Sequence, residues 1–480
     1  MKFLKVMVCL FLLSFGATAQ TITFTKYYDF QLEEFFNVLE LSDGYLMTAS
    51  SGSTISTLRT LIIKTDFNGD TVWIKQYGDT LQRYEISGLL KTSDGNYITG
   101  SRLRSYTLFK QCIYLLKFDN NGDTLWAKTI FAPGSDQYFG LFLTECSDKG
   151  FLIAGQQTDS LATDGNVFIT KTDSLGNEEW TKNFGGANYD AALSSVQLTD
   201  QGFLTLGWTR SYGLGSRDLY LIKTDSIGNF KWQKTYGTAY LDGATGITKT
   251  ADGNYLLSGY KGISSTQEIR SWLIKIDTSG TIIWQKTYLN SDSEIWWAHE
   301  LQNNTIIAVG ALEGNNGIVN AWVVKTDSFG NQLWDRSFGS YNDHCCFRDV
   351  IQTSDSGFAC VGFAYKGPNG NEDGWLIKLD SLGCDSFGCA TYTEVNEVNY
   401  NSEFSVYPNP VNDFLTIRFS YSLFSVCDIT VYNMLGEQVY ATRTFVQKQT
   451  AVPVSQLPPG MYFLSLKYEG QTVARKFVKR

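Results

Sequence analysis

Lys64-Thr65-Asp66-Phe67-Asn68-Gly69-Asp70-Thr71-Val72-Trp73 is a phrase that this chain writes seven times. Close copies begin at Lys117, Lys171, Lys223, Lys275, Lys325 and Lys378, at intervals of 53, 54, 52, 52, 50 and 53 residues. A fixed period near fifty with no helical spacing of apolar residues is the mark of a radially repeated β-structure rather than of a helical array.

Each period reads as four strands. In the second copy Ile86–Lys91 is a short apolar run and Ser93-Asp94-Gly95-Asn96 a turn. Tyr97–Ser101 and Cys112–Lys117 alternate on either side of a longer polar loop, Asp119-Asn120-Asn121-Gly122 turns the chain, and Thr124–Lys128 follows. Four strands with two tight hairpins and one longer loop make one propeller blade. The seventh copy stops at Gly383-Cys384 without its Trp strand. The strand elsewhere reads Trp73-x-Lys75-x-Tyr77 or Trp232-x-Lys234-x-Tyr236, and Phe24-x-Lys26-x-Tyr28 near the start has the same spacing. Residues 21–28 are therefore expected to complete the seventh blade and remove its free edge. The expected fold is all-β, a seven-bladed β-propeller over residues 20–384. A linker over 385–403 and a small Ig-like β-sandwich over 404–480 follow it.

Composition agrees with two domains. At 480 residues the chain exceeds one ordinary core. Its formal charge of −9 argues against nucleic acid as a partner. From Phe404 onward eight Lys/Arg stand against four Asp/Glu, so the tail is +4 and the rest −13, and five of the seven prolines fall in the tail. Lys2, Lys5, the apolar Val6–Phe15 and Ala17-Thr18-Ala19 read as a signal peptide over residues 1–19. That stretch is too short to span a bilayer, and no later segment reads as a span. Export places the cysteines in an oxidising compartment. Cys384 and Cys389 are close enough to bridge, whereas Cys112, Cys146, Cys360 and Cys427 stand alone in apolar runs as small hydrophobes.

The repeated phrase has a structural and a chemical reading. Asp66-Phe67-Asn68-Gly69-Asp70 and Asp119-Asn120-Asn121-Gly122-Asp123 resemble the start of a calcium loop, but the other copies lose the later acids and no EF-hand glutamate follows. The structural reading is a turn in which the Asp carboxylate binds nearby N–H groups while the Trp packs between blades. Calcium stays open; no other cofactor is expected. The phrase also resembles the tryptophan-docking repeat of quinoprotein propellers. It departs from them in a turn one residue shorter, in lacking Thr before Gly, and in its count of seven rather than eight. Relative to sialidase Asp-boxes, the Asp-to-Gly and Gly-to-Trp spacings are each one residue longer.

Only His299 and His344 are present, which rules out a multi-histidine metal site. An aromatic with an acid beside or near it recurs where blades begin: Tyr84 with Glu85, Tyr189 with Asp190, Tyr240 with Asp242, and Trp296 with Glu294. Such a ring at the channel mouth could stack sugars or hold a cation, or serve only to dock blades. Breaks in the repeat point to a single site more sharply. The sixth blade begins Glu294-Ile295-Trp296-Trp297-Ala298-His299, the only paired Trp, and Asn303-Asn304 replaces its usual Asp-Gly turn. On the variable loops, Arg102, Arg104, Trp208 and Arg210 add cations and an aromatic. Variable loops on a rigid scaffold are where function usually sits.

The tail carries the most specific resemblance. Pro408-Asn409-Pro410, the turn Tyr432-Asn433-Met434-Leu435-Gly436, then Leu457-Pro458-Pro459-Gly460-Met461-Tyr462 and the basic end Lys476-Phe477-Val478-Lys479-Arg480 occur in order. Together they resemble the type A C-terminal sorting domain of the type IX secretion system of Bacteroidota. The resemblance implies passage through the periplasm and outer membrane, the secretion machinery as partner, and release or attachment at the cell surface. The upstream repeats resemble uncharacterised bacterial propeller repeats, which bring no activity with them. The expected function is a monomeric, non-catalytic binding or adhesion module for glycan or a surface protein. The alternatives are a hydrolase or lyase using channel-mouth carboxylates, and a structural surface-layer component.

Overall fold

The computed structural model describes residues 22–28, 34–51, 58–78, 82–105, 110–130, 137–158, 165–265, 268–289, 291–313, 317–339, 344–366, 371–385, 404–419, 425–433, 438–468 and 471–480. The signal peptide, the linker and Cys389 lie outside them, save Asp385 at the linker's first position. The described residues form β-structure without helices, in two compact units, Met1–Ala390 and Thr391–Arg480.

Among the described residues the first unit holds seven four-stranded antiparallel sheets. Six are built from consecutive strands, the first from Glu34–Leu41, Gly44–Ser51, Arg59–Thr65 and Thr71–Tyr77. The seventh joins the two ends of the unit: Cys345–Gln352, Phe358–Lys366 and Asn371–Leu379 are completed by Phe24–Tyr28, with Phe24 opposite Lys378 and Tyr28 opposite Gly374. The opening strand of each sheet touches those of its two neighbours, and the seventh touches the first, so the sheets close into a propeller-like ring. The middle strands bury both faces, as Gly44–Ser51 and Arg59–Thr65 do along their whole length. The outer strands alternate, Thr71–Tyr77 being half-buried only at Trp73, Lys75 and Tyr77.

Those three positions explain the repeated phrase. The aromatic ring of each outer strand lies on the turn glycine of the next sheet: Phe24 on Gly69, Trp73 on Gly122, Trp126 on Gly176, Trp180 on Gly228, Trp232 on Gly280, Trp284 on Gly330 and Trp334 on Gly383. A Cβ on any of these glycines would come within 2.6–2.9 Å of the ring, and each has φ between 75° and 80°. Glycine is thus required by space and by backbone alike. Two residues on, Lys26 and Lys75 reach Asp70 and Asp123 of the next turn at 2.7 and 2.6 Å. Two further on, the hydroxyls of Tyr28, Tyr236 and Tyr288 donate to the carbonyls of Gly69, Gly280 and Gly330 at 2.6–2.8 Å. The turn aspartate is spent internally; Asp66 Oδ1 accepts the N–H groups of Asn68 and Asp70 at 2.8 and 2.9 Å.

The repeated lysine has a second partner within its own sheet. Lys64, Lys117, Lys171, Lys223, Lys275 and Lys378 bind Asp43, Asp94, Asp148, Asp200, Asp252 and Asp355 of the first hairpin at 2.6–3.0 Å. The Lys223 ammonium holds Asp200 below the usual carboxylate range, against the opposing effect of burial. In the sixth sheet Asn303 takes the acid's place, and Lys325 lies over the Phe358 ring at 5.4 Å with its pKa lowered by burial.

In the second unit Phe404–Tyr407, Phe414–Phe419 and Gln449–Pro453 form one sheet. Gln438–Val446, Ser425–Tyr432, Gly460–Tyr468 and Gln471–Lys479 form another. Leu415, Ile417 and Val452 of the first share one core with Ile429, Val431, Leu464 and Phe477 of the second.

Truncating a clasp should therefore cost more than removing its polar tip. Trp284→Ala is expected to lower unfolding free energy by about 3 kcal/mol, and Tyr288→Phe, which loses only the bond to Gly330, by about 1 kcal/mol. Equilibrium urea unfolding of both variants checks the ranking.

Candidate functional site

Every opening strand breaks register at the same place. The shifts fall between Phe35 and Asn37, Ile86 and Gly88, Phe139 and Phe142, Ala192 and Ser194, Ala244 and Gly246, Ile295 and Trp297, and Phe347 and Asp349. Bulges re-aim side chains and recur beside functional sites. In the sixth sheet the bulged residue is Trp296 and in the seventh it is Arg348, equivalent positions of neighbouring sheets. The Arg348 guanidinium stacks over Trp296 at 3.8 Å from the ring centroid and lies 5.5 Å from Phe363. Glu294 accepts the indole N–H of Trp296 at 2.9 Å. Burial raises the pKa of Glu294, opposed by the charge of Arg348, the Trp296 bond and the charge of Arg217.

Arg217 extends the cluster to the fourth and fifth sheets. Its guanidinium lies 5.1 Å from the Trp208 ring and 5.4 Å from Tyr260 of the next sheet, while Arg210 approaches Trp208 at 6.0 Å. Its Nε donates to the Asp242 carbonyl at 3.2 Å. Burial lowers its pKa, and the charge of Arg210 adds to the effect. Four consecutive sheets thus present Trp208, Tyr260, Trp296 and Phe363 interleaved with Arg210, Arg217 and Arg348. These positions stand at the end of the sheets that carries the long loops. Guanidinium planes stacked on aromatic faces keep their in-plane N–H groups for polar partners.

The structure brings together four of the expected site residues: Glu294, Trp296, Trp208 and Arg210. Others go elsewhere. Trp297 packs its ring on Gly246 of the fifth sheet and donates to His299 Nε2 at 2.6 Å, so the second Trp of the pair fills an inter-sheet seam. His299 Nε2 lies 3.8 Å from Asp349, which is itself bound by the N–H of Val38 at 3.2 Å. Asp190 and Asp242 are fully buried loop ties, and this corrects the expectation of acids lining a channel mouth. Asp190 accepts the N–H of Gly186 at 2.8 Å; Asp242 accepts that of Thr238 at 2.6 Å and that of Gly262 at 2.9 Å. Tyr189 and Tyr240 beside them are about one-third exposed, 36% and 38%. Tyr84 is buried against Tyr114, and Glu85 is held between Arg83 and Arg102 in the second sheet, with Arg104 exposed beyond. Cys384 is disulfide-bonded, and its expected partner Cys389 lies outside the described residues. No group of three or more His, Cys, Asp or Glu suited to a metal ion occurs among the described residues.

Arg217, Tyr260 and Phe363 were not singled out by sequence. Aligning the sixth and seventh copies on their lysines sets Asp349 opposite Trp296 and leaves Arg348 one residue away, so spacing alone does not match the two bulged positions.

In the tail the motifs that stand far apart in sequence meet. Asn409 Oδ1 accepts the N–H of Val478 at 2.9 Å, Val411 N–H donates to the Val478 carbonyl at 2.8 Å, and Arg480 N–H to the Val411 carbonyl at 2.9 Å. Phe477 is buried and stacks on Tyr462 at 5.6 Å, whose hydroxyl donates to the Pro458 carbonyl at 2.8 Å. Pro408, Asn409, Pro410, Gly460, Lys476 and Arg480 remain exposed, and Lys479 is largely buried. Gly436 lies outside the described residues.

The raised pKa of Glu294 has a signed consequence. Its folded-state value exceeds the unfolded one near 4.5, so its contribution is most favourable below pH 4.5 and declines as pH rises through the folded value. Glu294→Gln, which mimics the protonated form, should leave the thermal midpoint unchanged at pH 4 and raise it relative to the parent at pH 8. Scanning calorimetry at the two pH values reads the difference.

Among known proteins, the chain is 29% identical over 176 residues to the regulatory protein FlaEY of Caulobacter vibrioides, covering 31% of this chain and 18% of that protein. The chain thus spans under a fifth of that relative's length. Solved structures similar to it include the β-propeller domain of the Trilobed protease from Pyrococcus furiosus, at 9% identity over 74% of this chain and 97% of that one, TM-score 0.44. The polysaccharide lyase Uly1 matches at 10% identity over 75% and 100%, TM-score 0.45. Residues 405–480 match the family described as secretion system C-terminal sorting domain. That segment is a type IX sorting domain, and it marks the chain for export across the outer membrane to the cell surface or beyond.

Proposed function

We propose that residues 20–384 are a seven-bladed β-propeller and that its long-loop face binds glycan at the cell surface without transforming it. The sorting domain over 404–480 is an Ig-like sandwich, attached through the linker 385–403 and recognised by the secretion machinery. Support for the blade count comes from the seven sheets, the contacts between their opening strands, and the clasp repeated from Phe24–Gly69 round to Trp334–Gly383.

The observation that carries the binding reading is the stack of Arg348 on Trp296 at matched bulges, flanked by the Trp208–Arg217–Tyr260 sandwich. An aromatic face supports the C–H surface of a pyranose, and the guanidinium N–H groups suit its ring of oxygens. Hydrolase chemistry would call on two accessible acids from different sheets. Asp218 and Asp242 do approach one another around Gly237, but both are buried and bound to loop N–H groups. In the array itself Glu294 feels the charges of Arg348 and Arg217, an arrangement suited to holding a ligand.

The test is a glycan array probed with the mature full-length chain. Specific binding is expected, weakened at least about tenfold by Trp296→Ala or Trp208→Ala, the loss of one stacked contact worth ~1.4 kcal/mol. A blank array, or binding indifferent to both substitutions, overturns the reading.

A further inference from the structure

We propose that the ligand of this face is an anionic glycan, one whose sugars carry carboxylate or sulfate groups, and that Arg217 and Arg348 read those groups. The proposal rests on the reading that the face takes glycan and specifies which class.

The argument begins with charge. The whole chain carries −9, yet Arg217 and Arg348 both act on one carboxylate, Glu294, whose ionisation burial itself disfavours, and Arg210 lies beside Arg217. In a chain with an acidic surplus, guanidinium groups are here held close to one another. Local fields of this kind select and steer a ligand of opposite charge.

Arg217 gives the sharper observation. It is half-buried between the faces of Trp208 and Tyr260, and Arg210 nearby makes its charge harder to hold. Among the described residues no carboxylate lies within ion-pair distance of it, and the hydrogen bond it makes there runs from Nε to the Asp242 carbonyl. Three other arginines of the unit have acids in contact: Arg270 pairs with Glu268 and Asp292, and Arg83 and Arg102 share Glu85. Glu294 and Asp242 act on Arg217 from beyond ion-pair distance; desolvating a guanidinium with no carboxylate in contact is costly, and the cost is recovered when an anion arrives. The planar fork of arginine fits the paired oxygens of a carboxylate or sulfate. Trp208 and Tyr260 hold that plane, and the bulge that aims Arg348 across Trp296 sets a second guanidinium in the adjoining sheets. Glu294 feels both arginines and lies between the two stacks in charge as well as in sequence. It would repel an anion placed directly on it, so the two cationic positions are expected to take successive charged sugars.

Two matched pairs of polysaccharides separate charge from backbone: polygalacturonate against its methyl ester, and dextran sulfate against dextran. Binding of the mature full-length chain is measured by calorimetry at low and high salt. The charged member of at least one pair should bind at least about tenfold tighter than its neutral partner, since a hydrogen bond to a charged group contributes more than a neutral one, and the preference should shrink with salt. The pair that responds distinguishes carboxylate from sulfate. Arg217→Gln should weaken that binding by about tenfold, and Arg217→Lys by less, because it keeps the charge and loses the fork. Thermal midpoints of both variants are measured alongside; if Arg217→Gln fails to fold, Arg348→Gln replaces it. Equal binding of charged and neutral members overturns the proposal while leaving glycan binding in place. Binding of neither overturns both. Charged-glycan binding unchanged by Arg217→Gln and by Arg348→Gln also overturns it, and points to the basic tail as the captor.

Discussion

An aromatic ring resting on a glycine holds this molecule's sheets together. The contact requires a left-handed turn residue with no side chain, which the aspartate three residues upstream stabilises by taking the N–H groups of the second and fourth residues after it. It requires an outer strand that sets ring, ammonium and phenol at alternate positions, so that all three reach the same neighbouring turn. A strand's period of two and a turn's single permitted conformation thereby fix the spacing of Asp, Gly, Trp, Lys and Tyr. The ring-on-glycine contact is met seven times, and the phenol in four of the seven outer strands, Ile130, Phe184 and Phe338 standing in its place in the others.

The same constraint explains what could be read from sequence. Phe24, Lys26 and Tyr28 were recognisable as the seventh outer strand because they must satisfy Gly69 as Trp73, Lys75 and Tyr77 satisfy Gly122, and the structure pairs them with Gly374–Lys378. The candidate site was less legible. Trp296 and Trp208 stood out as departures from the repeat, but Asp190 and Asp242 looked similar on paper to Glu294 and turned out to tie loops from within. Whether an acid beside an aromatic faces a ligand or its own loop depends on hydrogen bonds closed over twenty residues, which spacing does not encode. Arg217 was hidden for a related reason: its partners Trp208 and Tyr260 come from different sheets, and the bulge that places Arg348 is a register shift no single strand reveals.

The repeat and its departures therefore divide the labour. Acids within the repeat neutralise lysines or close turns, which leaves the chain acidic but without free carboxylates to spare at those positions. Arg348 meets Trp296 where the repeat lapses, in the paired Trp of the sixth sheet. In the tail, similarly, the motif residues meet in one place, Asn409 against Val478 and Tyr462 against Phe477, so the sorting signal is presented by a folded domain and not by an extended peptide.

The central claim is that the repeated turns build the ring while the aromatic–arginine array meets the ligand. It is tested most directly by a crystal structure of the mature chain soaked with an oligogalacturonate. Sugar density is expected against Trp208, Arg217 and Trp296, with a carboxylate on a guanidinium. Density seated instead on the Asp-x-x-Gly turns, at the opposite end of the sheets, would contradict the account.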